Sequence, residues 1–253
     1  GQGRKEYLER MNYAIFFFFV ELSYSAAEII VQEIHEKPDL FICLPMGHTH
    51  RRSLEILVEY YREGKVDFSR CRFVGLFEWV GASPYKYGSS RHFLYNSFFS
   101  KVHVPKNQVY LFDGKAANSY DECMKMDQFI FKEGGIDLVV LGIGTNGHIG
   151  FNEPGSSFAA YSHISHIGQN AKIFGQTVVR EGGSLTKAYT LGIKHILGAG
   201  EIIVLANGFD KAKIIRRTLN EKFDPNTPSN ALKLHRNTTF LLDREAGSLL
   251  RIF

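Results

Sequence analysis

The sequence predicts an α/β fold built on a mostly parallel sheet covered on both faces, and three observations lead there. Apolar strand-like runs alternate along the chain with amphipathic helical ones. The strand-like runs carry consecutive apolar residues, not one at every second position, as strands buried on both faces should. The 253 residues, 44% hydrophobic and 22% charged, suit one large domain over 1–253, with no linker, repeat or low-complexity tract to divide it.

The elements follow in chain order. Residues 23–37 place Ala26, Ala27, Ile30, Val31 and Ile34 on one helical face, and Pro38 ends that helix. Residues 40–44 form a continuous apolar strand. A glycine-containing loop then leads to a helix from about Arg51, with Leu54, Leu57, Val58 and Tyr61 on one side and Gly64 as its stop. Residues 72–76 and 109–112 read as strands, 119–132 as a helix, and 136–141 as the strongest strand. Strands at 202–206 and 239–242 flank a helix beginning near Phe209. The apolar run at 14–20 is too short for a membrane span of about 20 residues and lacks a small-residue cleavage site. A soluble chain is expected.

Charge and cysteine content narrow the function. Lys+Arg number 30 against Asp+Glu 26, a net +4, and no basic run exceeds two residues. That balance argues against a nucleic-acid binder. Cys43, Cys71 and Cys123 are odd in number and widely spaced, which fits neither a disulfide framework nor a zinc site. A reducing cytoplasm is the simplest setting.

Ligands of parallel α/β sheets bind outside the carboxyl ends of the strands. The loops after Leu44, Leu76, Leu141 and Ala206 are therefore where chemistry is expected. In the loop after Leu141, Gly142, Gly144 and Gly147 match G-x-G-x-x-G. A dinucleotide site would need a helix at the third glycine and an acidic residue about 20 positions on. Pro154 and Gly155 interrupt such a helix, and no Asp or Glu lies between Glu153 and Glu181. The same loop carries His148 with Asn146 and Glu153 close by. A histidine that moves protons needs a partner to fix its tautomer, and either neighbour supplies one. The plainer alternative is a turn histidine beside a solvated glutamate.

The loop after Leu44 holds Gly47, His48, Thr49 and His50 at a helix start. Free amides there and the Thr49 hydroxyl would cradle a phosphate; an ordinary turn capped by Thr49 is the alternative. His48 and His50 also form an H-x-H pair of the kind that binds metals. Lys211, in the first turn of the helix after Ala206, would alone be a solvated lysine. Beside the Gly47/Thr49 loop it becomes a phosphate ligand.

Residues 141–157 closely resemble the signature of the glucosamine-6-phosphate deaminase/isomerase family, in particular its galactosamine-6-phosphate branch. Weaker matches run along nearly the whole chain: 42–50 at the phosphate loop, 76–80 at an L-D-E-[YW]-V motif, and 188–193, 208–212 and 228–235 at later motifs. The resemblance implies a Rossmann-like three-layer sandwich. It implies conversion of a hexosamine 6-phosphate and water to a ketohexose 6-phosphate and ammonia, with no metal or organic cofactor. It assigns ring opening to His148, assisted by Glu153 and Asn146. It places Gly47, Thr49, Lys211 and Lys172 around the phosphate of a small sugar-phosphate partner. Family members are often oligomers, so a homo-oligomer is possible. Two positions depart from the pattern. Phe77 stands where the family has the aspartate that takes the C2 proton, and His50 stands where it has proline. Glu78 follows Phe77, but adjacent strand residues face opposite ways. Two outcomes stay open: turnover with a displaced base, or sugar-phosphate binding with little or none.

Overall fold

The computed structural model describes residues 11–167 and 186–250. Seven strands form one parallel sheet: β1 (Met11–Phe16), β2 (Phe41–Leu44), β3 (Arg72–Gly75), β5 (Val109–Tyr110), β6 (Leu138–Leu141), β9 (Glu201–Ala206) and β10 (Thr238–Asp243). Their order is β1-β10-β9-β6-β2-β3-β5. Alternate strand residues feed two apolar layers. Cys43, Val139, Leu141, Val204 and Leu242 pack with Met126 and Ile130 of α4 (Ser119–Lys132), Ile196 of α5 (Ile193–Leu197) and Ile215 of α6 (Phe209–Asn220). Ile42, Leu44, Val140, Ile203 and Leu241 pack on the other face with Ile30 of α1 (Phe19–Glu36), Leu57 of α2 (His48–Arg62) and Leu94 of α3 (Ser90–Leu94). This is the predicted three-layer sandwich: every central strand is covered twice, so its sequence carries no polar alternation.

Chain order and spatial order part company at one place. From β2 the chain builds β3 and β5 to one side, then returns to lay β6 on the other side of β2. The loops leaving β2 and β6 therefore diverge at the carboxyl edge and leave a crevice between them.

Several boundaries differ from those expected, each for a physical reason. The first helix starts at Phe19, not at residue 23, and β1 precedes it. As an edge strand β1 leaves Tyr13 and Ile15 exposed, so its apolar run has no helical period to announce it. The second helix starts at His48, not near Arg51, with Gly47 (φ 151°) as its N-cap. Its first turn is polar and gives no apolar stripe to read. A second sheet was not expected at all: β4 (Phe77–Trp79), β8 (Lys187–Thr190) and β7 (His163–His166) run antiparallel, in that order. It is tied to the end of β3 by the Leu191 N–H, which donates to Leu76 O at 2.9 Å. No helix among the described residues is long and apolar enough to cross a membrane. Cys43, Cys71 and Cys123 are free, buried thiols.

Glu78 locks β4 in place. It is 2% exposed and accepts from the Ser89 hydroxyl at 2.7 Å and from the N–H groups of Trp79, Ser90 and Arg91 at 2.8, 3.0 and 2.9 Å. Burial pushes its carboxyl up from the ordinary value, and these four donors pull it back. It thus satisfies the start of α3 and faces away from Phe77. Glu78→Ala would strand several buried donors at about 1–3 kcal/mol each. The expected result is a melting temperature lower by at least roughly 6 °C. An unchanged melting curve would show that Glu78 is not a structural anchor.

Candidate active-site cleft

A cleft of about 400 Å³ opens at the carboxyl edge where the chain switches sides, within the range of small-ligand sites. Its walls come from the four loops that the parallel-sheet rule singles out. Residues 45–50 follow β2, Leu76, Phe77 and Trp79 follow β3, residues 142–151 follow β6, and Asp210 and Lys211 follow β9.

The loop after β6 is a chain of tight turns, and no helix opens at its third glycine. Gly144 N–H donates to His148 O and Gly147 N–H to Gly144 O, both at 2.9 Å. Gly147 and Gly150 hold φ of 90° and 57°, a region that side chains disfavour. Asn152, fully buried, clamps the far end by donating to Ile149 O at 2.8 Å and Leu191 O at 2.9 Å.

These turns lay the His148 ring flat over Gly144. A Cβ on that glycine would stand 2.2 Å from the ring's Cε1 and 2.3 Å from its Nδ1. His148 Nδ1 lies 2.8 Å from Asn146 Oδ1, and the His148 backbone N–H donates to the same oxygen at 3.0 Å. Asn146 Nδ2 donates to Glu153 Oε2 at 2.9 Å. Flipping the amide would set donor against donor at the backbone N–H, so the oxygen must face His148. His148 therefore carries its proton on Nδ1 and leaves the Nε2 lone pair unused. Burial, and secondarily the Lys211 ammonium, lower its pKa to about 4, so the ring is neutral at pH 7. Glu153 is pushed up by burial and partly restored by the Asn146 amide. Its Oε1 is 3.7 Å from His148 Nδ1 and has no hydrogen-bond partner among the described residues.

The other end of the cleft is cationic. Lys211 sits in the first turn of α6, its Nζ 3.9 Å from Asp210 Oδ2, and burial lowers its pKa from the ordinary lysine value. The first turn of α2 carries no acidic residue, and the His48 and Thr49 amides that open it have no intrahelical acceptor. Thr49 Oγ1 donates to Asn207 Oδ1 at 2.7 Å, pinning the α2 start to the loop after β9. Asp243 accepts from Gly208 N–H through both oxygens, at 3.1 and 3.0 Å, and so fixes the turn that presents Lys211. A relay able to accept a proton thus shares one cleft with a set of donors suited to an anion.

Of the residues singled out in the sequence, Gly47, Thr49, Asn146, His148 and Lys211 line this cleft, and Glu153 stands directly behind it. Lys172 lies outside the described residues. The H-x-H pair does not converge. His48 and His50 are two positions apart on α2, which turns them to different sides; His48 is exposed and His50 is 4% exposed. Phe77 lines the cleft and packs edge-on against Phe151, ring centroids 4.5 Å apart, while Phe151 stacks parallel to His148 at 6.4 Å. Sequence reasoning missed Asn207, Asp243 and Phe151. Asn207 had a signal, since it shares a strand-end loop with Lys211. Asp243 ends the strand beside that loop.

Gly144→Ala is expected to drive the imidazole off Asn146 and out of its buried seat. Loss of desolvation then raises the His148 pKa from about 4 towards the ordinary 6.5, as an NMR titration of the imidazole would record. An unchanged titration would contradict the close seat on Gly144.

Comparison with known proteins places this geometry. The family model for glucosamine-6-phosphate isomerases/6-phosphogluconolactonase matches residues 20–241. The glucosamine-6-phosphate deaminase of Bacillus pumilus (strain SAFR-032) is 37% identical over 233 residues, covering 90% of this chain and 95% of the relative. That of Thermoanaerobacter sp. (strain X514) is 36% identical over 239 residues and 92% of each chain. A solved monomeric glucosamine-6-phosphate deaminase shares 32% identity at a TM-score of 0.89, over 95% of this chain and 100% of its own. The 6-phosphogluconolactonase from Trypanosoma brucei, 19% identical with a TM-score of 0.80 over 96% and 99% of the two chains, shares the fold. The chain belongs to the glucosamine-6-phosphate isomerase/6-phosphogluconolactonase family.

Proposed function

We propose that the chain, acting as one domain over 1–253, deaminates and isomerises a hexosamine 6-phosphate, yielding a ketohexose 6-phosphate and ammonia. The observation that carries this reading is the two-ended cleft: a neutral imidazole oriented by Asn146 and Glu153 at one end, Lys211 and the α2 amides at the other. A hexose 6-phosphate has matching ends, a dianionic tail and a ring acetal. In this reading the tail docks at Lys211, Gly47 and Thr49. The Nε2 lone pair of His148 takes the proton of the anomeric hydroxyl, and the resulting imidazolium returns it to the ring oxygen, opening the sugar. Glu153, through Asn146, stabilises the transient positive charge. Three buried reduced thiols support a cytoplasmic setting.

Isomerisation then needs a base for the proton on C2, and Phe77 supplies none. Glu78 is committed to α3. Asp210 is the one carboxylate among the described lining residues, and it belongs to the Lys211 end. A positioned base contributes about 10²–10⁴-fold. Phe77 therefore favours a second reading on the same scaffold, a sugar-phosphate-binding protein with little turnover.

An ammonia-release assay on glucosamine and galactosamine 6-phosphates separates the readings. The expectation is slow release by the wild type, none by a folded His148→Asn, and a kcat at least about tenfold higher in Phe77→Asp. Binding without release in the wild type, with release restored in Phe77→Asp, would establish the binding-protein reading. A wild type that neither binds nor converts these sugars would refute both.

A further inference from the structure

His50 is the least explained polar group in the cleft. Its ring lines the floor yet is 4% exposed. Nδ1 is sealed from solvent and has no hydrogen-bond partner among the described residues. Nε2 lies against Gly142, 3.1 Å from where a Cβ on that residue would stand, and Cδ2 is 3.6 Å from the same point on Gly47. The Cδ2–Nε2 edge of the ring thus lies against two cleft-lining glycines, neither of which has a side chain to cover it. Burial lowers its pKa to about 3, so the ring is neutral with a single N–H. Buried orphan donors are rarer than under-used acceptors, which assigns the proton to Nε2, the nitrogen beside Gly142, and leaves Nδ1 as the idle acceptor. Side chains lean towards a helix's N-terminus. The ring of this third residue of α2 therefore hangs back beside the free amides of the first turn, where no acidic residue competes. An anion seated at that turn would meet the Nε2–H.

We propose that His50 is a substrate-binding group of this cleft, donating from Nε2 to the phosphate held at the start of α2. The proposal rests on the sugar-phosphate reading above. It adds a ligand that the family resemblance does not supply, because proline matches this position there.

The test uses inorganic phosphate as the probe and the full chain throughout. In wild-type protein carrying 15N-labelled histidine, phosphate is expected to shift the His50 Nε2 resonance along one saturable curve. His50→Leu should weaken phosphate binding about tenfold and raise KM far more than it lowers kcat. His50→Gln, whose amide nitrogen reaches the place of Nε2, should stay within about threefold of the wild type. No phosphate binding, a His50 signal unmoved at saturation, or His50→Leu binding phosphate as the wild type does would each overturn the assignment. Should His50→Leu fail to fold, the wild-type titration decides. The two proposals fail separately: phosphate binding through His50 with no ammonia from any hexosamine 6-phosphate refutes the proposed function and leaves the His50 assignment standing.

Discussion

The hydrogen bond between His148 Nδ1 and Asn146 Oδ1 sets what the cleft can do. A neutral imidazole has one donor and one acceptor nitrogen, and the neighbour of one decides the role of the other. Asn146 cannot rotate its amide without opposing the His148 backbone N–H, and Glu153 holds the amide from the far side. The lone pair on Nε2 is the consequence. Glycine at position 144 is a condition of the same arrangement, since any side chain there would occupy the ring's place.

Electrostatics tie the two ends of the cleft together. The Lys211 charge helps to keep His148 neutral, and burial makes Lys211 itself hold its proton less firmly. An arriving dianion would reverse both effects: it stabilises the lysine's charge and partly cancels its field at His148, raising the basicity of the imidazole. In the proposed reading, binding of the phosphate and readiness of the base are linked through the same few side chains. Phe77 stands outside this linkage. It continues the Phe151 wall and gives the sugar an apolar face where a carboxylate would be expected.

Much of this was legible in the sequence because the physics behind it is local and strict. Strands buried on both faces must be apolar where they are covered, and β2, β6 and the Ile202–Ala206 part of β9 are. Their carboxyl ends then locate the site before any motif is consulted, and the spacing of Asn146, His148 and Glu153 in a glycine-rich loop suggests a relay. Other features depend on tertiary partners that sequence does not display. β7 reads His-Ile-Ser-His and is half-exposed, so nothing in it announces a strand. The first turn of α2 is polar, so the apolar pattern marks a helix start later than the true one. His50 belongs to that turn and looks solvated on paper; only the packing of Gly47 and Gly142 around it shows that it is buried. Asp243 acts across 35 residues on Gly208, a distance over which no pattern carries information.

The most direct test of the account is the protonation state of the His148 ring nitrogens at pH 7, read from their 15N chemical shifts in labelled protein. The account predicts a neutral imidazole with its proton on Nδ1 and a bare Nε2. A cationic ring, or a neutral one protonated at Nε2, would contradict it, because the nitrogen that the proposed ring opening uses would then have no lone pair.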